Sequence, residues 1–172
     1  GNHNVMDAMS AYAVATRLGF DPARVCKNLG GYEVSGWRQN FVEKNGALII
    51  EDCYNAAPDS MKAAIDTLVS VAKGRKICCF GDMLELGEDT DNLHREVGEY
   101  AKEKHVDCMW TYGEKASFIA KGFGDGAKNF ATKQELTDYV IKNLKAGDTI
   151  VLKRSHSRKF EDILERIYKY WE

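Results

Sequence analysis

The sequence predicts an α/β fold of the Rossmann-like type, with a mostly parallel sheet that carries helices on both faces. From residue 47 onward, short apolar segments alternate with amphipathic segments of helical period. Several of the apolar segments are hydrophobic without alternation, as expected of parallel strands buried on both faces. The chain has 172 residues, 44% of them hydrophobic, which is enough for a sizeable core. Right-handed crossovers should connect the parallel strands.

Two helices are predicted ahead of the sheet. The first has apolar residues near one face and ends at Gly19. It is apolar enough to need a partner to pack against. The second spans Asp21 to Leu29, with Asp21 as the N-cap and Pro22 in the first turn, where a missing N–H costs nothing.

A β-hairpin follows, and its two extended runs are joined at Asn45-Gly46, a dipeptide that favours a tight turn. After the hairpin turn, strands and helices alternate. The predicted strands are 47–52, 75–80, 107–111, 128–131 and 148–153, and the predicted helices are 58–73, 90–104, 114–122, 133–144 and 158–170.

Composition excludes several classes of partner and site. The 24 Lys and Arg residues against 26 Asp and Glu residues give a formal charge of -2, which argues against nucleic acid or an anionic membrane as the main partner. No apolar stretch approaches the ~20 residues of a membrane span. The five cysteines are odd in number and lack C-x-x-C spacing, so we expect reduced, mostly buried thiols in a cytoplasmic protein.

Polar side chains follow three of the predicted strands. Asp52, Tyr54 and Asn55 come after the first, the segment GDMLELG at 81–87 after the second, and RSHS at 154–157 after the last. Ligands of open α/β sheets bind beyond the carboxyl ends of the strands. We therefore expect the three clusters to lie on one edge of the sheet and to form a ligand site.

Structural roles for the same residues stay open on spacing alone. Asp52 or Asn55 can accept backbone N–H groups in a turn, and residues 59 and 60 can favour the start of a helix. Asp82 and Glu85 are equally compatible with turn and cap positions.

Two other kinds of site are disfavoured. His156 lies between two serines but has no acid at readable spacing, so a hydrolase triad is not expected. The four histidines show no ligand spacing, so no metal site is predicted, and His94 and His105 are interpreted as packed or surface residues. No G-x-x-x-x-G-K-[ST] pattern occurs, so these residues cannot cradle phosphates in the P-loop manner.

Five motifs together resemble the Mur ligases of peptidoglycan synthesis, in order and spacing over essentially the whole chain. Within that family they are most similar to the type that adds D-alanyl-D-alanine. The motifs are GNHNVMDAMSAYA, VSGWRQN, IIEDCYNAAPDSMKAA, CFGDMLELGE and VLKRSHSRKFEDI.

The resemblance implies a domain organisation and a reaction. Residues 1–37 correspond to the end of a central ATP-binding domain and 38–172 to the C-terminal Rossmann-like domain. The P-loop and most ligands of ATP and Mg²⁺ would lie in an N-terminal part that is absent here, so the chain alone should be inactive. In the family, ATP phosphorylates the terminal carboxylate of a UDP-N-acetylmuramoyl-tripeptide, and the amine of D-alanyl-D-alanine attacks the acyl phosphate.

The resemblance also implies residue roles in nucleotide binding. His3 and Asn4 would lie near the nucleotide on the central-domain side. Arg38 would reach the γ-phosphate as the catalytic cation, which suits a planar guanidinium. Asp52 would accept hydrogen bonds from the ribose hydroxyls, and Tyr54 would pack beside the ribose and adenine.

Other matching positions would serve the substrates. Asn55 would contact the nucleotide or the incoming dipeptide. Lys153, Ser155 and His156 match a family segment assigned here to domain closure or to the dipeptide carboxylate. Arg154 is a departure, because the family usually has Gly there, and it would either alter the local backbone or add an anion contact.

Two alternatives remain at this stage. Another Mur ligase or a folylpolyglutamate-type ligase would share the Arg38 and Asp52 positions. A non-catalytic α/β module that binds a nucleotide or a peptide is the alternative from a different class.

Overall fold

A computed structural model describes residues 2–32, 39–154 and 161–171, and the chain divides into two compact units, Gly1–Ser35 and Gly36–Glu172. The first unit contains helix α1 (Asn2–Arg17) and helix α2 (Pro22–Gly30). The predicted N-cap is confirmed, because the Asp21 side chain accepts the N–H of Arg24 at 2.8 Å.

The first unit has no buried core of its own among the side chains described. None of the described side chains of residues 4–32 is fully buried. On α1, Val5, Met6 and Met9 are 57%, 61% and 60% exposed. Burial of apolar surface is the main favourable term in packing, so this pair of helices presents an apolar surface that suits a packing partner.

The second unit is built on a six-stranded sheet of order β1-β2-β6-β3-β4-β5. The first two strands form the predicted antiparallel hairpin, and all other neighbours are parallel. The strands are β1 (Asn40–Lys44), β2 (Ala47–Asp52), β3 (Lys76–Gly81), β4 (Cys108–Tyr112), β5 (Ala127–Phe130) and β6 (Thr149–Lys153).

Helices cover both faces of this sheet, as the sequence predicts. The helices are α3 (Pro58–Val71), α4 (Thr90–Glu103), α5 (Ala116–Phe123), α6 (Lys133–Asn143) and α7 (Glu161–Tyr170). Side chains of α3, α4 and α5 pack in one core cluster, and those of α6 and α7 pack in a second. Successive strand residues alternate between the clusters, so Ile49 joins the second and Ile50 the first. The α/β class is therefore confirmed.

The last strand lies in the middle of the sheet. In the register, Lys153 of β6 is opposite Asp52 of β2 on one side and Phe80 of β3 on the other. The carboxyl ends of β2, β6 and β3 are consequently neighbours, which places the segments that follow these strands at one edge.

Element boundaries differ from the predictions by small amounts. A single 3₁₀ turn, Gly87–Asp89, precedes α4. Helix α5 begins at Ala116, two residues later than predicted, where Asp82 from the end of β3 accepts its N–H at 2.7 Å. That contact joins segments 34 residues apart, so no local pattern reveals it. Residues 158–160 of the predicted last helix lie outside the described residues.

Candidate functional site

The carboxyl edge of the sheet brings together the polar segments after β2 and β3 and the end of β6. Asp52 ends β2, Lys153 ends β6 and Gly81 ends β3. The predicted convergence is thus confirmed for residues up to Arg154. Ser155 and His156, and also Arg38, lie outside the described residues.

Lys153 and Asp52 form a buried ion pair at the centre of this edge. The Nζ atom of Lys153 lies 2.7 Å from Oδ2 of Asp52 and 2.8 Å from the carbonyl oxygen of Asn55. The residues are only 3% and 8% exposed. A paired, hydrogen-bonded carboxylate can remain ionised away from water, whereas an isolated one is costly. The described contacts of the Lys153 ammonium group are therefore with groups of the protein itself.

The turn after β2 fixes the direction of the Asn55 side chain. Oδ1 of Asn55 accepts the N–H of Ala56 at 2.8 Å. Only the oxygen of the amide can accept an N–H, so the NH₂ group is on the other side of the side chain. Asn55 and Tyr54 are both exposed. Asn55 therefore offers a hydrogen-bond donor at the edge, and Tyr54 offers an aromatic ring.

Helix α3 starts immediately after this turn and orients it. Pro58 occupies the first turn, and the hydroxyl of Ser60 both donates to the carbonyl of Ala57 and accepts its N–H. The expected structural role of Ser60 at the helix start is therefore observed, and Asp59 lies in the first turn, where a carboxylate is favourable.

The loop after β3 is held by a histidine from helix α4. His94 of α4 is fully buried, its Nε2 accepts the N–H of Met83 at 3.0 Å, and its Nδ1 lies 2.6 Å from the carbonyl of Thr90. Nδ1 is therefore the protonated nitrogen, which donates to Thr90. Burial lowers the pKa of His94, so the neutral ring is favoured.

Asp82 has a structural role in the same loop. Besides accepting the N–H of Ala116, its carboxylate packs against Gly113, where an added Cβ would lie 2.0 Å from Oδ1. Glu85 adopts a positive φ of 62°, which is uncommon outside glycine. For Asp82, the cap interpretation that the sequence left open is the one observed.

The side chain of Arg154 is buried beside strand β3. It is 2% exposed, and its guanidinium carbon lies 5.3 Å from the centroid of the Tyr112 ring. A Cβ on Gly81 would lie 2.7 Å from both Cγ and Cδ of Arg154. The stem of the arginine therefore fills the space beside a residue that has no side chain.

The remaining predicted residues belong to the first unit. Asn4 is exposed on α1, and the side chain of His3 lies outside the described part of the chain. Because the two units are described separately, neither residue is placed relative to the carboxyl edge.

Three of the five thiols are buried. Cys53, Cys78 and Cys79 are buried and Cys26 is exposed, and no cysteine is disulfide-bonded in the described ranges. Burial raises the pKa of Cys78 and Cys79 well above the ordinary value. Their thiols are therefore protonated and inert at neutral pH.

A metal-ligand cluster and a membrane-spanning helix are both absent from residues 2–32, 39–154 and 161–171. No group of three His, Cys, Asp or Glu side chains there could hold a metal ion. Within the same residues, no helix is both long enough and apolar enough to cross a bilayer.

Sequence reasoning missed the role of His94 and the pairing of Lys153 with Asp52. No sequence motif around His94, which lies seven residues after Gly87, predicts a contact with Met83. The matched pair of an Asp and a Lys at the ends of two apolar strands was a usable signal, because parallel neighbours place such residues opposite each other.

Comparison with protein families gives a match that agrees with this geometry. The family model "Mur ligase, glutamate ligase domain" matches residues 37–156, which include the whole carboxyl edge. The chain belongs to the Mur ligase family. This confirms the resemblance that the five motifs carry.

Two curated relatives of the chain carry the same name. The UDP-N-acetylmuramoyl-tripeptide–D-alanyl-D-alanine ligase of Bacillus subtilis is 38% identical over 96% of this chain and 38% of its own length. The ligase of the same name from Haemophilus influenzae is 34% identical over 95% of this chain and 37% of its own length. The chain thus spans well under half of these relatives.

Solved Mur ligase structures share the fold. MurF from Acinetobacter baumannii superposes with a TM-score of 0.89 at 29% identity, over 98% of this chain and 38% of that one. MurF from Thermotoga maritima, solved in complex with ADP, gives 0.75 at 26% identity, over 92% of this chain and 36% of that one.

Proposed function

We propose that the chain is part of an ATP-dependent ligase that adds D-alanyl-D-alanine to UDP-N-acetylmuramoyl-tripeptide in cytoplasmic peptidoglycan synthesis. The observation that carries this proposal is the single edge formed by Asp52, Tyr54, Asn55 and Lys153 within a domain of the Mur ligase family. The shared name of the relatives from B. subtilis and H. influenzae supports this substrate choice.

The edge suits one wall of a nucleotide site. Oδ2 of the Asp52 carboxylate is held by Lys153, and Oδ1 would accept hydrogen bonds from hydroxyl donors such as those of ribose. The exposed ring of Tyr54 offers a stacking surface for ribose or adenine. The Asn55 amide offers a donor to a phosphate or carboxylate oxygen.

Phosphoryl transfer needs more than this wall. It requires cations around the transferred group and a phosphate cradle, and the described residues form neither. We assign the cationic contact to Arg38, and domain closure or the dipeptide carboxylate to Ser155 and His156. Mg²⁺ would neutralise phosphate charge, with ligands outside the described residues, and His3 and Asn4 would approach the nucleotide from the central domain.

The apolar helices of the first unit support a domain boundary at residues 37 and 38. We assign residues 1–37 to the end of the central ATP-binding domain and 38–172 to the C-terminal domain. The exposed face of α1 then packs on the rest of that central domain, in the same polypeptide.

The test uses the complete product of the gene that encodes this chain. Incubation with ATP, UDP-N-acetylmuramoyl-tripeptide and D-alanyl-D-alanine should release phosphate and yield a product whose mass equals both substrates minus one water. Single amino acids, including glutamate, should not replace the dipeptide. Phosphate release with glutamate and a folate instead would identify a folylpolyglutamate-type ligase, and no amide formation with any acceptor would favour a non-catalytic module.

A further inference from the structure

The family resemblance implies a substrate contact for Lys153, whereas the observed contacts of its ammonium group are with Asp52 and Asn55. We propose that it is a positioning residue, which acts through Asp52 and Asn55 to hold the nucleotide wall in shape. This inference rests on the proposed function and concerns how the same site is built.

Burial argues against a direct contact between Lys153 and the dipeptide. The side chain of Lys153 is 4% exposed, and two of its three N–H donors are directed to Asp52 Oδ2 and the Asn55 carbonyl. A dipeptide carboxylate would need these donors freed and the ammonium group exposed. Separating Lys153 from Asp52 would leave a buried, uncompensated charge, which is strongly unfavourable.

The two partners of Lys153 lie at the start and the end of one short turn. Asp52 is the last residue of β2 and the register partner of Lys153, and Asn55 follows three residues later. One ammonium group therefore ties the end of β6 to both ends of the turn. Tyr54 lies within the turn between these two contacts.

Each tie sets one property of the nucleotide wall. The contact with Asp52 Oδ2 balances the charge of the carboxylate and fixes its position, which would leave Oδ1 as the acceptor for a ligand hydroxyl. The contact with the Asn55 carbonyl fixes the backbone from which the Asn55 amide projects, and the Ala56 N–H fixes the rotation of that amide. Removing the ammonium group should disturb both the acceptor and the donor of the wall.

A double-mutant cycle on the complete gene product separates positioning from direct contact. The variants are Lys153→Met, Asp52→Asn and the two combined, and the measurements are kcat and the KM values for ATP and for D-alanyl-D-alanine. Lys62→Met is the matched control, because Lys62 is a partly exposed lysine on α3 that pairs with Glu96 at 3.4 Å.

If Lys153 acts through Asp52, the effects of Lys153→Met and Asp52→Asn on the KM for ATP will not be additive. Lys153→Met should raise the KM for ATP roughly 10-fold or more, as expected for loss of a hydrogen bond to a charged group. In the Asp52→Asn background, Lys153→Met should change the KM for ATP by less than about 3-fold. The KM for the dipeptide should stay within about 3-fold in both backgrounds, and Lys62→Met should change neither KM.

Additive effects on the KM for ATP, or a large rise in the KM for D-alanyl-D-alanine, would overturn the inference. If Lys153→Met does not fold because it leaves Asp52 buried and unpaired, the double variant still decides the matter, since both charges are removed there. A higher dipeptide KM in the double variant than in Asp52→Asn would then count against positioning. Failure of the proposed function is distinct, because the unmodified enzyme would form no amide.

Discussion

The ring of His94 accepts the main-chain N–H of Met83, with 3.0 Å between Nε2 and the amide nitrogen. This contact ties the loop after β3 to helix α4 from a fully buried position. An unpaired buried N–H costs roughly 1–3 kcal/mol. The neutral ring therefore stabilises the fold, because it accepts the N–H of Met83.

The stability of the purified chain should therefore decrease below about pH 6.5. Burial lowers the pKa of His94, with smaller opposing effects from the Thr90 carbonyl, Asp82 and Asp91, and a small further lowering from Lys115. The unfolded chain then takes up a proton at this residue at higher pH than the folded one, so acid favours unfolding. The loss begins near the unfolded pKa of ~6.5 and is complete below the folded pKa.

Urea unfolding at pH 7.5 and pH 5.5 measures this effect. His94→Gln should be less stable at pH 7.5 and should lose the part of the pH dependence that His94 contributes. The control is His105→Asn, since His105 is exposed and its positive φ of 56° is one that Asn tolerates. Parallel pH curves for the unmodified chain and His94→Gln would contradict the assignment.

Arg154 and Gly81 should depend on each other in stability measurements. Gly81→Ala places a Cβ 2.7 Å from the buried stem of Arg154, and overpacking of this kind costs about 1–3 kcal/mol. In an Arg154→Gly background, which lacks the arginine side chain, the same change should cost less than about 1 kcal/mol. Chemical denaturation of the unmodified chain, the two single variants and the double variant gives the coupling free energy between the two positions. An equal loss of stability from Gly81→Ala in both backgrounds would show that groups other than Arg154 move to accommodate the added Cβ.

Arg75 stabilises the opposite, amino edge of the sheet. Its guanidinium donates to both carboxylate oxygens of Asp148 at 3.0 and 2.6 Å and to the Asn143 carbonyl at 2.8 Å, and these contacts raise its pKa. Arg75→Met should lower the free energy of unfolding by about 2 kcal/mol, because Asp148 is buried and loses a charged partner.

The matched control for Arg75 is Arg166→Met. Arg166 pairs with Asp138 at 2.9 Å, but the two side chains are 43% and 56% exposed, so its loss should cost well under about 1 kcal/mol. Neither variant should change ligase kinetics, because neither residue lies at the carboxyl edge. A loss of turnover in Arg75→Met at a temperature where it remains folded would mean that the amino edge also affects the reaction.

Arg38 should matter for turnover more than for dipeptide binding. A cation that spreads the charge of the transferred phosphoryl group contacts the transition state more strongly than the ground state. In the complete enzyme, Arg38→Ala should lower kcat more than it raises the KM for D-alanyl-D-alanine. Steady-state kinetics tests this, and unchanged turnover would remove Arg38 from the mechanism.

The 172-residue chain by itself should fold and show no ATP turnover. The second unit has two core clusters of its own, but the sequence contains no P-loop pattern to cradle the phosphates. A circular dichroism spectrum with α/β signature and a phosphate-release assay on the same sample would test both parts. Amide formation by the purified chain would refute the expectation.

Much of the fold could be predicted because its signals are local. The Asn45-Gly46 turn, the Asp21 cap and the Pro58 start each depend on residues within a few positions, and all three are observed. The placement of polar residues after strands also predicted the edge, because parallel strands end on the same side.

The contacts that define the site are not local. Lys153 and Asp52 are 101 residues apart, and Asp82 caps a helix 34 residues later. Their pairing depends on β6 entering the sheet between β2 and β3, a choice that follows from the packing of whole helices on each face.

The sequence by itself therefore determined the α/β class, the strands and helices, the family resemblance and the edge at which the polar segments meet. Only the tertiary structure decided which groups at that edge are exposed and which make their contacts inside the protein. It turned Lys153, Asp82 and Arg154 inward and left Tyr54 and Asn55 exposed. The physical reason is that side-chain periodicity is encoded locally, whereas the partner of a buried charge is fixed by strand order and register.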